Sequence, residues 1–180
     1  GPLRLEGAET HIHAARRLRE SFPDIGWQGG GAVLALAEDR QMPEGAFRIA
    51  PSPGRITVTG GPFSGVIYGV EELIALGGGN PGHMSLPNEI ITGAPGLAYR
   101  TFWTWDHSTN WELSQVGQQE IGVFNPYQKP PKGFLDDYKR CVDFCSKNRI
   151  AAIVIYGFLR DTHGGVAAAQ ELCRYASERG

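Results

Sequence analysis

The residues best suited to chemistry stand in one stretch, Gly96 to Asn110, which reads GLAYRTFWTWDHSTN. Leu97 to Trp105 is rich in aromatic and β-branched residues and holds no internal Gly or Pro, which predicts a strand. It runs straight into the polar residues Asp106, His107, Ser108, Thr109 and Asn110. Three of the four tryptophans, Trp103, Trp105 and Trp111, fall in or just after it. A strand that delivers Trp, Arg and Asp to its C-terminal end suits sugar recognition. The aromatic face stacks on the apolar face of a pyranose, and the charged groups take its hydroxyls. A second polar strand end supplies Asp161 and His163, after the apolar run Ile150 to Tyr156. Each of these residues also has a plain structural reading. The tryptophans suit a buried core, as large aromatics often do, and Asp106 and Asp161 suit turns.

Other chemistries find less support. No P-loop or dinucleotide-binding glycine pattern follows a strand, so no nucleotide cofactor is expected. Cys141 and Cys145 stand four apart on an expected helix and Cys173 on another, with no CxxC pair. They read as buried thiols rather than metal ligands. His11 and His13 are two apart, so a helix points them in different directions, and they read as solvated surface histidines. No metal and no cofactor are therefore expected. A formal net charge of −2 gives no electrostatic reason to expect nucleic acid or an anionic membrane as partner. No apolar run is long enough to span a bilayer, and residues 1–20 lack a signal-peptide core. Cytoplasmic placement and export with the signal removed are both compatible with that, and the oligomeric state is left open.

The elements that must position the candidate residues follow from periodicity. Residues 8–22 carry Ile12, Ala15, Leu18 and Phe22 at helical spacing, and Pro23 stops the helix. Residues 31–37, 46–50 and 55–59 read as three strands. Phe63, Val66, Ile67, Val70 and Ile74 then predict a helix over 63–76, closed by Gly77. Helix, three strands, helix describes a small α+β domain over residues 1–92, its helices on one face of the sheet. Residues 77–95 are dense in Gly and Pro and read as a linker.

Residues 96–180 read strand, loop, helix, strand, loop, helix. The loop over 107–130 is long enough to suggest a functional segment. Ile150 to Tyr156 is continuously apolar, as expected of a strand buried on both faces of a parallel sheet. The fold class expected is an α+β domain followed by the first two β/α units of an incomplete TIM barrel.

Several motifs resemble known families. Arg55-Ile-Thr-Val-Thr-Gly, followed by Gly65-Val-Ile-Tyr-Gly-Val-Glu-Glu-Leu, resembles the small non-catalytic domain that precedes the barrel in α-glucuronidases and β-hexosaminidases. Tyr99-Arg100 is similar to the opening of the hexosaminidase barrel. Arg100, Trp105 and Asp106, spaced Arg-x4-Trp-Asp, resemble the α-glucuronidase opening. Asp137-Tyr138-x-Arg140 and Ile153-Val-Ile155 resemble that barrel's first helix and second strand. His107 departs from the α-glucuronidase pattern, which has Asn there, and the Asp-Gly that follows it in that family is absent.

The resemblance implies the first part of a glycoside hydrolase acting on uronic-acid- or hexosamine-containing glycans, with an oligosaccharide or polysaccharide as partner. It implies a substrate-binding role for Arg100 through its bidentate fork, and in such a barrel the C-terminal strand ends offer Trp105, Asp106, Asp161 and His163 as further substrate-binding residues. In both families the catalytic carboxylates lie on later barrel strands, so no catalytic residue is expected within this chain. In a straight strand Arg100 and Asp106 stand about 20 Å apart at ~3.3 Å per residue. They serve one sugar only where the strand ends or bends between them. Two other readings compete: a carbohydrate-binding or scaffold module without catalysis, and an unrelated α/β enzyme whose aromatics are core.

Overall fold

The computed structural model describes residues 2–77, 84–97, 99–105, 131–156, 159 and 164–180. They form two units, Gly1–Ala98 and Tyr99–Glu178, with the last two residues grouped with the first unit.

Unit one contains β1 (Leu3–Glu6), α1 (Ile12–Ser21), β2 (Ala32–Glu38), β3 (Phe47–Ser52), β4 (Arg55–Gly60), α2 (Gly65–Leu76) and β5 (Ile91–Gly93). The strands make one sheet in the order β1-β2-β4-β3-β5. β1, β2 and β4 run parallel, and β3 lies antiparallel between β4 and β5. The register aligns Leu34 with Ile56, and Leu36 with Val58 and Ile49. Those side chains therefore share one face, where Ala14, Ala15 and Leu18 of α1 and Val66, Val70 and Leu73 of α2 complete a single buried core. Alternation along β4 explains this. Ile56 and Val58 point inward, and Arg55, Thr57 and Thr59 do not.

Two strands escaped the sequence reading. β1 is only four residues long, and β5 lies inside the Gly/Pro-rich stretch 77–95. β5 is an edge strand held by antiparallel pairing of Ile91 with Ile49 and Gly93 with Phe47, a long-range match that composition does not reveal. The second helix begins at Gly65 rather than at 63. The reason is a close approach of backbones: a Cβ on Gly60 would stand 2.0 Å from the Val66 nitrogen, and one on Gly65 would stand 2.5 Å from the Ala46 carbonyl oxygen. Phe63 does not join the core stripe. It takes a left-handed φ of 64° and is 81% exposed.

Unit two contains β6 (Thr101–Trp105), α3 (Pro131–Lys147), β7 (Ala152–Tyr156) and α4 (Gly165–Ser177). β6 and β7 pair in parallel, from Thr101 opposite Ala152 to Trp105 opposite Tyr156. Phe134, Tyr138 and Val142 of α3 meet Ala168 and Leu172 of α4 in a second core, against which Ile153 and Ile155 pack. Among the described residues β7 is covered on one face rather than on both, as its apolar run suggested. Val154 is 47% exposed, and so is its register partner Trp103, at 56%. Among the described residues, helices pack against the Ile153 and Ile155 side of the two-stranded sheet.

Candidate functional site

β6 and β7 finish side by side. Trp105 is the last residue of β6 and Tyr156 the last of β7, and the two are register partners. Asp106, Asp161 and His163 follow these strands in sequence and lie outside the described residues. In parallel β/α folds this carboxyl end is where ligands are bound.

Arg100 stands at the opposite end. It precedes Thr101, and its carbonyl oxygen accepts hydrogen bonds from the Ala151 nitrogen at 3.0 Å and the Ala152 nitrogen at 3.2 Å. Its Nη2 donates to the Asn148 carbonyl at 3.1 Å and to the Arg149 carbonyl. These carbonyls close α3. Arg149 adopts a left-handed φ of 59°, Asn148 Nδ2 donates to the Phe144 carbonyl at 2.8 Å, and the Ile150 nitrogen bonds back to the Cys145 carbonyl at 2.8 Å. A helix C-terminus leaves carbonyls without intrahelical partners and carries partial negative charge. The Arg100 guanidinium supplies both the donors and the countercharge. Its Nε is buried and finds no acceptor among the described residues.

β6 is one uninterrupted strand, so no bend brings Arg100 towards Trp105. At ~3.3 Å per residue the five steps from Arg100 to Trp105 separate their backbones by about 16 Å. The structure thus puts Arg100 with the α3–β7 turn, and Trp105 with the end of β7.

The other titratable candidates are structural in their surroundings. Cys145 is buried beside Cys141, and its thiol is pushed up to about 11, first by burial and then by Cys141. That disfavours a thiolate. Cys173 is exposed, unlike the buried thiol expected. His11 and His13 are both partly buried rather than solvated. Burial lowers the His11 pKa, opposed by Glu38. His13 Nδ1 is buried with no partner among the described residues. Among those residues no group of three His, Cys, Asp or Glu is placed to hold a metal ion, and no helix is long and apolar enough to cross a membrane.

No protein-family profile matches this sequence, and no curated protein matches it by sequence. Solved structures do match. The β-N-acetylhexosaminidase from Bacteroides fragilis NCTC 9343 superposes with a TM-score of 0.70 at 20% identity, covering 100% of this chain and 38% of that one. A GH138 enzyme targeting pectin rhamnogalacturonan II gives 0.68 at 17% identity, with 100% and 23% coverage. A glycoside hydrolase family 20 β-N-acetylglucosaminidase gives 0.57 at 21% identity, with 85% and 26% coverage. The chain therefore spans less than two fifths of the length of each. It has the fold of a portion of the hexosaminidase-like glycoside hydrolases.

Proposed function

We propose that this chain is the part of a carbohydrate-active enzyme that supplies a small α+β domain and the first two β/α units of a catalytic barrel. The reaction is glycoside hydrolysis, on a glycan that contains uronic acid or hexosamine. The observation that carries this reading is the parallel, in-register pairing of β6 and β7. It brings Trp105 and Tyr156, the last residues of the two strands, side by side, within a fold that matches glycoside hydrolases over the whole chain. The exposed Trp103–Val154 face of the sheet supports it too. In a closed barrel the side away from the helices is the packed interior.

In this reading Trp105 and Asp106 line a sugar subsite, joined by Asp161 or His163 from the neighbouring strand end. The indole stacks on a pyranose face and the carboxylate accepts hydroxyl protons. Arg100 contributes by holding the α3–β7 turn. A direct part in sugar binding requires its guanidinium to leave the carbonyls of Asn148 and Arg149. Hydrolysis needs two carboxylates flanking the scissile bond, or one with help from the substrate. We place those on further strands, so the 180-residue chain turns over no aryl glycoside and no aldouronic acid.

The test is Asp106→Ala in a longer protein that contains this chain and has measurable glycosidase activity. Loss of one charge-assisted hydrogen bond lowers kcat/KM by the equivalent of about 1.5–3 kcal/mol, with folding intact. Wild-type kinetics in a well-folded Asp106→Ala protein would show that this aspartate is a turn residue only.

A further inference from the structure

Unit one carries a cleft of about 470 Å³, lined by Pro2, Arg19, Gly26, Trp27, Gln28 and Gly29. That volume lies within the range of small-ligand sites, which run to roughly 300–1,000 Å³. We propose that this cleft binds an acidic saccharide, one uronate-bearing ring at a time. The inference goes beyond the strand-end reading above and uses no residue of unit two.

The first support is how Trp27 is held. Its indole packs partly against the unit-one core, and its Nε1 donates to the Phe22 carbonyl at 3.3 Å. The ring is therefore fixed at one edge while the residue still lines the cleft. A pre-positioned indole costs little entropy when a pyranose stacks on it.

The second support is Arg19. It lies in the last turn of α1, is exposed, and pairs with no carboxylate among the described residues. Its near neighbour on the helix does pair: Arg17 is engaged with Glu71. A free guanidinium at the rim of an aromatic cleft matches a carboxylate bidentately. The Gln28 carboxamide adds a donor and an acceptor for ring hydroxyls.

The third support separates two adjacent glycines. Gly30 is demanded by the fold, since φ is 116° and a Cβ there would stand 2.3 Å from the Pro2 carbonyl oxygen. Gly29 is not. A Cβ on it would meet nothing within 4 Å, and its φ is not left-handed. The missing side chain at Gly29 leaves open space on the cleft wall without serving the backbone.

The experiment follows the Trp27 indole N–H by NMR in the 180-residue chain. The probes are an α-1,4-linked galacturonate trisaccharide and its carboxyl-reduced neutral form. The acidic probe is expected to shift the Trp27 signal with a Kd on the order of 1 mM, as befits a shallow single-ring subsite. The neutral probe, and the acidic probe on Arg19→Gln, bind about tenfold more weakly, the worth of one charged contact. Gly29→Phe, folded by its spectrum, removes the shift. No Trp27 shift up to about 10 mM acidic probe, equal affinity for the neutral form, or unchanged affinity in either variant overturns the proposal. None of these results bears on Asp106, whose test is kinetic and made in a longer protein.

Discussion

The guanidinium of Arg100 donates to the backbone carbonyls of Asn148 and Arg149, tying the residue before β6 to the turn that leads from α3 into β7. The contact spans 49 residues in sequence and joins the starting ends of the only two strands described in unit two. At the other end of the same two strands, Trp105 and Tyr156 are register partners.

Arg100→Ala is therefore expected to destabilise unit two. The loss is about 1.5–3 kcal/mol, the range for a hydrogen bond to a charged group, read as a lower urea midpoint. Arg100→Lys recovers only part of it, because an ammonium lacks the planar fork. Unchanged stability in Arg100→Ala would mean that the turn holds itself.

Between α1 and α2 the pair Arg17–Glu71 does similar work. Arg17 Nε lies 2.5 Å from Glu71 Oε1, and its Nη1 donates to Ser21 Oγ at 2.9 Å. The Glu71 side chain is 6% exposed and that of Arg17 is 24%. Removing one partner leaves a charge in a dry place, which costs roughly 3–5 kcal/mol for fully buried pairs. Arg17 can still reach water, so Glu71→Ala is expected near the lower end. The Arg17→Met, Glu71→Leu double variant is expected to regain most of the loss. A double variant as unstable as Glu71→Ala would disprove the charge argument.

Backbone contact predicts the outcome at glycines. Gly60→Ala drives a Cβ into the Val66 nitrogen, so a loss beyond about 3 kcal/mol is expected in thermal or urea unfolding. Gly29→Ala meets nothing and is expected within about 0.5 kcal/mol of wild type. Similar stabilities for the two variants would contradict the close packing of β4 on α2.

His11 gives unit one a pH dependence. Burial lowers its pKa below 6.5, so the unfolded chain binds this proton more readily than the folded one. Stability contributed by the neutral ring is then full above about pH 6.5 and falls as pH drops towards the folded-state pKa. His11→Gln is expected to flatten that part of the stability profile between roughly pH 7 and pH 5. A profile of wild-type steepness in the variant would assign the dependence to other groups.

Periodicity alone determined much of this protein. The spacing of Leu18, Val66, Val70 and Ile74 marked α1 and α2. Alternation in Arg55–Thr59 marked β4, and the order β, α, β, α read over residues 96–180 is the order observed among the described residues. Local patterns of this kind are fixed by geometry within one element, at 3.6 or 2 residues per repeat, so a sequence carries them openly. Aromatic and β-branched residues over Leu97–Trp105 also marked a strand, and β6 covers Thr101–Trp105 of it.

Pairing between distant segments decided the rest. β5 exists because Ile91 finds Ile49, and no local signal marks it in a Gly/Pro-rich stretch. Phe63, apolar and in phase with the helix, was expelled because glycine backbones touch behind it. Arg100 shares a motif with Trp105 in sequence, yet the run of β6 carries them to opposite ends, and the carbonyls at the end of α3 claim the guanidinium. The cleft of Pro2, Arg19 and Trp27 has no sequence signature at all. Its residues become neighbours only when the Gly26–Gly30 segment folds back along β1, where the Leu3 nitrogen meets the Gly26 carbonyl at 2.8 Å and Arg4 bridges to Gln28. Side-chain chemistry can be read from residue types, but which side chains meet is set by long-range hydrogen bonding and burial, and those belong to the tertiary fold.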